Sequence, residues 1–225
     1  MHRAILKKNL ADLPLTPNWL DSVQAREAFS WQVQAHALAG LPGGGLNLAY
    51  EAVDRHAQGA HRRHTALRIL DRNGGGCDIS YGELSTLSNR FASVLKTLGV
   101  RPGERVFVLC GRGLELYLGV LGGLKLGCVV SPLFCAFGPQ PIETRMRLGE
   151  GSVLLTSAAL YRRKVAAIRE RLPALKHVLL FDDQGGDTAQ IEGTLNLHQL
   201  LAQADEAFTV AGTTADSPAL LHFTS

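Results

Sequence analysis

The sequence predicts an α/β fold: an open, mostly parallel sheet with helices on both faces. Three observations predict it. From Leu67 onward, strand-like and helix-like segments alternate. Each strand candidate is a short, continuously apolar run, as expected when both sheet faces are covered. The helix candidates begin at caps or prolines, and several end at glycine.

The first 45 residues read as an arm with helical pieces. Asp21–Leu38 is a candidate helix carrying Val23, Phe29, Val33 and Leu38 at an imperfect period. Leu41-Pro42-Gly43-Gly44-Gly45 is a breaker, and Asn47 then caps a short helix over Leu48–His56. Ala66–Leu70 reads as a strand and Asn73–Gly76 as a turn. Ser80 and Glu83 form the capping-box pattern S-x-x-E. Leu84, Leu87, Phe91, Leu95 and Leu98 follow on one helical face, which Gly99 ends.

Arg105–Cys110 is the next strand, Leu114–Leu126 an apolar helix, and Cys128–Ser131 a strand closed by Pro132. Pro139–Leu148 is a helix opened by proline. Val153–Thr156 is a strand. Ser157 caps a basic helix over Ala158–Arg171. Lys176–Phe181 is a strand, Asp182–Gly186 a polar loop, Leu195–Ala204 a helix and Pro218–Phe223 a last strand.

Composition narrows the function classes. The 225 residues are 46% apolar, 19% charged and 6% aromatic, with net charge +3. That charge is too small to argue for nucleic acid or an anionic membrane, and few aromatics remain for base stacking. Met1–Leu10 has no apolar signal-peptide core. Arg112, Glu115 and Lys125 interrupt the most apolar stretch, Val106–Phe134, and argue against a membrane span. A soluble cytoplasmic protein is expected. Cys77, Cys110, Cys128 and Cys135 match no metal spacing and read as free thiols in apolar segments.

Three motif-like features carry little. Gly43–Gly45 lacks the Lys-Ser/Thr of a phosphate-binding P-loop. His56, His61 and His64 lack a carboxylate or thiolate at zinc spacing and read as a solvated loop. Gly111-x-Gly113 lacks the third glycine of a dinucleotide fingerprint, because position 116 is Leu.

Other segments carry chemistry as an ordered set. Ile79-Ser80-Tyr81-Gly82-Glu83-Leu84 comes first, then Arg101-Pro102-Gly103-Glu104-Arg105-Val106. Leu124–Leu133 and Leu220-Leu221-His222-Phe223-Thr224-Ser225 follow. In that order they resemble the core motifs of the adenylate-forming superfamily, which includes acyl-CoA synthetases and luciferases. The run Leu46-Asn47 through Asp54-Arg55-His56 is similar to an L-N-x6-D-R-H segment of acetyl- and propionyl-CoA synthetases. Leu133–Pro139 is similar to their segment beside the CoA site. The resemblance spans residues 30–225. It implies residues 1–45 as an N-terminal arm and 46–225 as an incomplete large domain.

The resemblance implies a ligase that activates acetate, or another short carboxylic acid, with Mg²⁺-ATP and passes the acyl group to CoA. It places Thr224 and Ser225 at the start of the ATP-phosphate loop, where hydroxyls and N–H groups meet phosphate oxygens. It places Phe134, Cys135 and Ala136 beside the CoA adenine, with Cys135 and Ala136 where the family has glycines. Arg162 matches a CoA-phosphate arginine. The family's second arginine falls at Val165, so Arg163 or Lys164 would substitute. Read from the residues alone, Arg162, Arg163 and Lys164 equally form a solvated basic helix face.

By the same resemblance the chain stops two residues into the phosphate loop. The loop's glycines and lysine, the acyl pocket, the ribose-binding Asp and the C-terminal domain's Lys lie outside it. These 225 residues alone are therefore expected to be inactive, to expose a sheet edge and to tend to aggregate. No catalytic residue and no metal ligand is assigned within them. A truncated non-catalytic product, a partner-binding module of the same fold and a synthetase of different acyl specificity remain open alternatives, as does the oligomeric state.

Overall fold

The computed structural model describes residues 9–15, 21–71, 74–182 and 191–224. They fall into two compact units, Met1–Ala39 and Gly40–Ser225.

The first unit holds a 3-10 turn at Leu10–Asp12 and two short helices, α1 (Ser22–Glu27) and α2 (Trp31–Ala35). The single helix expected over Asp21–Leu38 is therefore two. Asp21 caps α1, its carboxylate accepting from the N–H groups of Val23 (2.9 Å) and Gln24 (3.0 Å). Ser30 is extended at φ −145° and starts α2 afresh. The physical reason is the imperfect apolar period: Val23, Phe29, Trp31 and Val33 all stay exposed, so no buried stripe holds one long helix together.

The second unit opens with a helical run over residues 48–57. Asn47 caps it as expected, accepting from the N–H groups of Ala49 and Tyr50. Its middle, Tyr50–Asp54, is π-helical and its end, α3 (Arg55–Ala57), is α-helical. A two-stranded antiparallel hairpin follows, β1 (Thr65–Leu70) with β2 (Gly76–Ser80). Gly76, expected in a turn, instead opens β2, a strand with no counterpart among the sequence expectations. That strand's Gly76, Cys77 and Asp78 are exposed, so it lacks the apolar run that marks a buried strand.

The helix α4 (Tyr81–Thr97) carries the full capping box. Glu83 N–H donates to Ser80 Oγ, and the Glu83 carboxylate accepts from Ser80 N–H. The Ser80 hydroxyl also donates to the Glu83 carboxylate, and together with the Ser80 N–H bond it holds the Glu83 carboxyl below its ordinary range. Next come β3 (Arg105–Leu109), α5 (Leu114–Lys125), β4 (Val129–Pro132), α6 (Pro139–Leu148) and β5 (Val153–Ser157). The basic helix expected over Ala158–Arg171 is three kinds of turn in series. They are α7 (Ala158–Leu160), a π-helical segment at Tyr161–Val165 and a 3-10 segment at Ala166–Arg171. Then come β6 (His177–Phe181), the short β7 (Leu195–Asn196) and α8 (Leu197–Gln203). The helix expected from Leu195 thus starts two residues later, capped by Asn196, whose side chain accepts from Gln199 N–H. The expected loop over Asp182–Gly186 lies, beyond Asp182, outside the described residues.

The main sheet has the order β4-β3-β5-β6-β7, and every pairing is parallel. The two-residue period sends its side chains into two cores. Val106, Val108, Val153, Leu155 and Leu179 face one core with α4, α5 and α8. Phe107, Leu109, Leu154, Val178 and Leu180 face the other, with α6 and the 158–171 segment. Helices cover both faces, as the sequence predicts.

Two expectations need correction. The strand expected over Pro218–Phe223 is only an isolated parallel bridge, Val130 to Leu220. Val130 N–H donates to Ala219 C=O and Leu221 N–H to Val130 C=O, but the ladder goes no further. Pro218 has no N–H to extend it at its start. Cys77 is exposed rather than held in an apolar interior, because it lies on the hairpin's open face; Cys110 and Cys128 are buried and Cys135 is half-buried. Among the described residues no helix is long and apolar enough to cross a membrane.

Candidate functional site

In a parallel sheet the strands' carboxyl ends share one edge, and ligands bind in the crevice outside it where strand order reverses. Here the chain leaves β3 for β4 and then crosses back to β5 on the other side. The loops after β4 and β5 therefore flank the reversal, and they carry the residues singled out in the sequence.

The loop after β4 is anchored at Leu133, whose N–H donates to Val108 C=O (2.8 Å). It then turns tightly over Phe134-Cys135-Ala136-Phe137, closed by Phe137 N–H donating to Phe134 C=O (3.0 Å). Among the described residues only Glu150 is a non-glycine with positive φ. The turn therefore needs no left-handed backbone at Cys135 or Ala136, and these residues sit there without strain. The Phe134 ring is 74% exposed. It meets the Phe137 ring edge-on at 5.5 Å, and Phe137 packs against the second core.

The π-helical segment after β5 approaches this loop from the side. Tyr161 and Val165 are buried, and Val165, where the resemblance implies a second arginine, is fully enclosed. Arg162 and Arg163 are exposed. Lys164 is half-buried, and its ammonium donates to the carbonyls of both Cys135 and Phe137, the latter at 2.8 Å. The structure thus brings Phe134, Cys135 and Ala136 together with the segment carrying Arg162 and Arg163. An insertion of π-helical turn is a feature often found at functional sites.

Residue Arg145 of α6 joins this corner to the chain's last described stretch. Its guanidinium lies over the Phe137 ring at 4.4 Å and 6.0 Å from the Phe223 ring centre. Phe223 in turn lies 6.4 Å from Phe107. Thr224 follows and is exposed; Ser225 lies outside the described residues. Because residues 219–221 run parallel to β4, Thr224 lies toward the same carboxyl edge. Sequence reading missed Arg145, since a single arginine in a helix gives no signal of the two rings it will meet.

The exposed Phe134 face and the outward Arg162 and Arg163 suit a ligand with one aromatic ring and phosphate groups. The wider clefts lie elsewhere. One of ≈ 750 Å³ runs between Arg62, Cys77, Glu83 and Arg90. Another of ≈ 440 Å³ lies against Tyr50, Asp54, Asn89 and Phe208. Among the described residues no group of three His, Cys, Asp or Glu side chains could hold a metal ion.

The model of the AMP-binding enzyme family matches residues 53–225. The acetyl-coenzyme A synthetase of Bacillus subtilis is 31% identical over 198 residues, covering 88% of this chain and 33% of its own length. The 3-hydroxypropionyl-coenzyme A synthetase of Metallosphaera sedula is 30% identical over 163 residues, covering 67% of this chain and 24% of its own. A Brucella canis acyl-CoA synthetase crystal structure superposes with TM-score 0.78 at 24% identity, over 91% of this chain and 36% of that one. The chain therefore spans about a third or less of these relatives.

Proposed function

Since the chain belongs to the AMP-binding enzyme family, we propose that it forms part of an AMP-forming acid–CoA ligase. Such a ligase activates acetate, or another short carboxylic acid, with ATP to acyl-AMP and passes the acyl group to CoA. The observation that carries the proposal is the meeting of the Phe134 turn with the Arg162–Arg163 segment through Lys164. An exposed aromatic ring beside two outward guanidiniums fits the adenine and phosphates of CoA.

In this reading Phe134 offers a ring face to the adenine, and the turn backbone at Cys135 and Ala136 lies alongside it. Arg162 and Arg163 neutralise phosphate charge. Thr224 and Ser225 begin the segment that holds the ATP phosphates through hydroxyl and N–H donors. Mg²⁺ would arrive with the ATP phosphates. Small-molecule carboxylate, ATP and CoA are the proposed partners, and the cytoplasm the proposed location. The acyl pocket is not assigned to any residue of this chain, so acetate is favoured only by relatives such as the B. subtilis acetyl-coenzyme A synthetase.

Two measurements test this. Acid-dependent ATP–pyrophosphate exchange is run with acetate, propionate and butyrate on residues 1–225 and on a ligase-length polypeptide containing them. Exchange only in the longer protein, fastest with acetate, is the expected result. No exchange with any acid would overturn the ligase reading, and exchange by residues 1–225 alone would overturn the partial role. Binding of adenosine 3′,5′-bisphosphate to residues 1–225, lost on Arg162→Ala together with Arg163→Ala, is the expected second result. Binding indifferent to both arginines would remove them from the site.

A further inference from the structure

Lys164 stands beside two arginines, yet the geometry gives it a different task. Its ammonium has three donors and no acceptor. Two of those donors go to the carbonyls of Cys135 and Phe137. These carbonyls belong to the Phe134–Phe137 turn, whose own closing bond uses Phe134 C=O. So the turn's other two engaged carbonyls converge on one cation from a neighbouring element. A compact ammonium on a flexible stem suits such a convergence. Arg162 and Arg163, one and two residues earlier, are exposed, whereas Lys164 is half-buried.

We infer that Lys164 is a positioning residue: it clamps the Phe134–Phe137 turn so that Phe134 stands out as a ring platform, and it is not itself a phosphate ligand. The inference rests on the reading of this turn as the CoA-side loop. It divides the basic cluster by role. Arg162 and Arg163 face solvent and meet the anion, and Lys164 sets the geometry of the surface on which the adenine lies. Without the clamp, two carbonyls would turn to water and the turn would sample other shapes. Phe134, whose ring meets Phe137 edge-on, would lose its fixed orientation.

The chain carries its own reporters. Cys135 lies in the clamped turn, while Cys110 and Cys128 are buried in the main fold. Iodoacetamide labelling followed by peptide mass spectrometry reads each thiol separately. In Lys164→Met, Cys135 should label at least about tenfold faster, the lower limit expected for losing a hydrogen bond from a charged donor. Cys110 and Cys128 should keep their wild-type rates. General loosening of the fold would speed all three.

A second readout separates clamp from phosphate ligand. Affinities for adenosine and for adenosine 3′,5′-bisphosphate are measured by NMR titration on residues 1–225. A clamp lost in Lys164→Met weakens both by the same factor. A lost phosphate contact weakens only the bisphosphate. An unchanged Cys135 rate, acceleration of all three thiols together, or a loss confined to the bisphosphate would overturn the inference. If the wild type binds neither nucleoside, the CoA-side reading falls, and the Cys135 rate still decides whether Lys164 clamps the turn.

Discussion

Lys125 Nζ lies 2.7 Å from Asp54 Oδ1 with both side chains sealed from water, 0% and 6% exposed. The two residues are 71 positions apart and tie the π-helical run of residues 50–54 to the last turn of α5. Asn89 Oδ1 and Ser85 C=O accept the ammonium's other donors, at 2.6 and 3.1 Å. Ser85 Oγ also donates to Asp54 Oδ1. Burial pushes the Lys125 ammonium below its ordinary pKa, and Asp54 pulls partly the other way. The remaining oxygen, Asp54 Oδ2, is buried and has no hydrogen-bond partner among the described residues.

Breaking this pair should be costly. Lys125→Met leaves a buried carboxylate without its counter-charge and should cost about 3–5 kcal/mol in urea denaturation. Lys125→Arg should cost far less, because a guanidinium fork can donate to both Asp54 oxygens where an ammonium reaches one. Equal losses for Met and Arg would show that shape, not charge pairing, dominates at this position.

The contact between α4 and α5 depends on a missing side chain. A Cβ at Gly122 would meet Phe91 Cδ1 at 2.7 Å and Ser88 C=O at 2.9 Å. Phe91 and Ser88 are both fully buried, so neither can withdraw. Gly122→Ala should therefore destabilise by about 1–3 kcal/mol through overpacking, against the usual helical preference for Ala. Gly99→Ala tests the other use of glycine. Its Cβ would meet nothing within 4 Å, but its φ of +78° penalises any side chain. That cost, about 1 kcal/mol, should be conformational and should leave the α4–α5 packing intact.

Much of this architecture was legible because it rests on short-range signals. Ser80 and Glu83 announce α4 within four residues, and Pro139 opens α6. The continuous apolar runs at β3 and β5 announce strands buried on both faces. What was illegible depends on tertiary partners. The exposed Gly76-Cys77-Asp78 run gives no strand signal, and only pairing with β1 makes it β2. The shift to π-helical turns at Tyr161–Val165 has no spacing signature. The site shows the same division. Phe134, Cys135, Ala136, Arg162 and Arg163 are singled out only by resemblance, whereas the bonds from Lys164 to two carbonyls join residues 29 and 27 positions apart.

The thiols should separate sharply. Cys77 is exposed on the hairpin and should alkylate first at pH 8, while Cys128, its thiol pushed up to about 12 by burial and the nearby Glu104 carboxylate, should resist until the chain unfolds. The same shift predicts an alkaline limb of instability. Below pH 9 the thiol is protonated in both states and its contribution is fully present. Between pH 9 and about 12 the unfolded chain releases the proton and the folded chain keeps it, so stability falls as pH rises. Cys128→Ala should flatten that limb relative to wild type. A parallel decline in both proteins would place the sensitivity elsewhere.

Phe134 separates binding from folding most cleanly. Its ring is 74% exposed, so Phe134→Ala removes little buried surface and should change stability by no more than about 0.5 kcal/mol. If the ring is the adenine platform, the same change should weaken adenosine 3′,5′-bisphosphate binding by roughly tenfold, the value of one base–aromatic stack. Phe137→Ala should behave differently, because Phe137 packs against the second core and lies beneath Arg145 at 4.4 Å. It should lose stability and binding together. Phe134→Tyr keeps the ring face and should retain affinity, which distinguishes stacking from mere bulk at the turn. Unchanged affinity in Phe134→Ala would remove the platform from the site, and a large stability loss there would mean the ring is held by the fold rather than offered to a ligand.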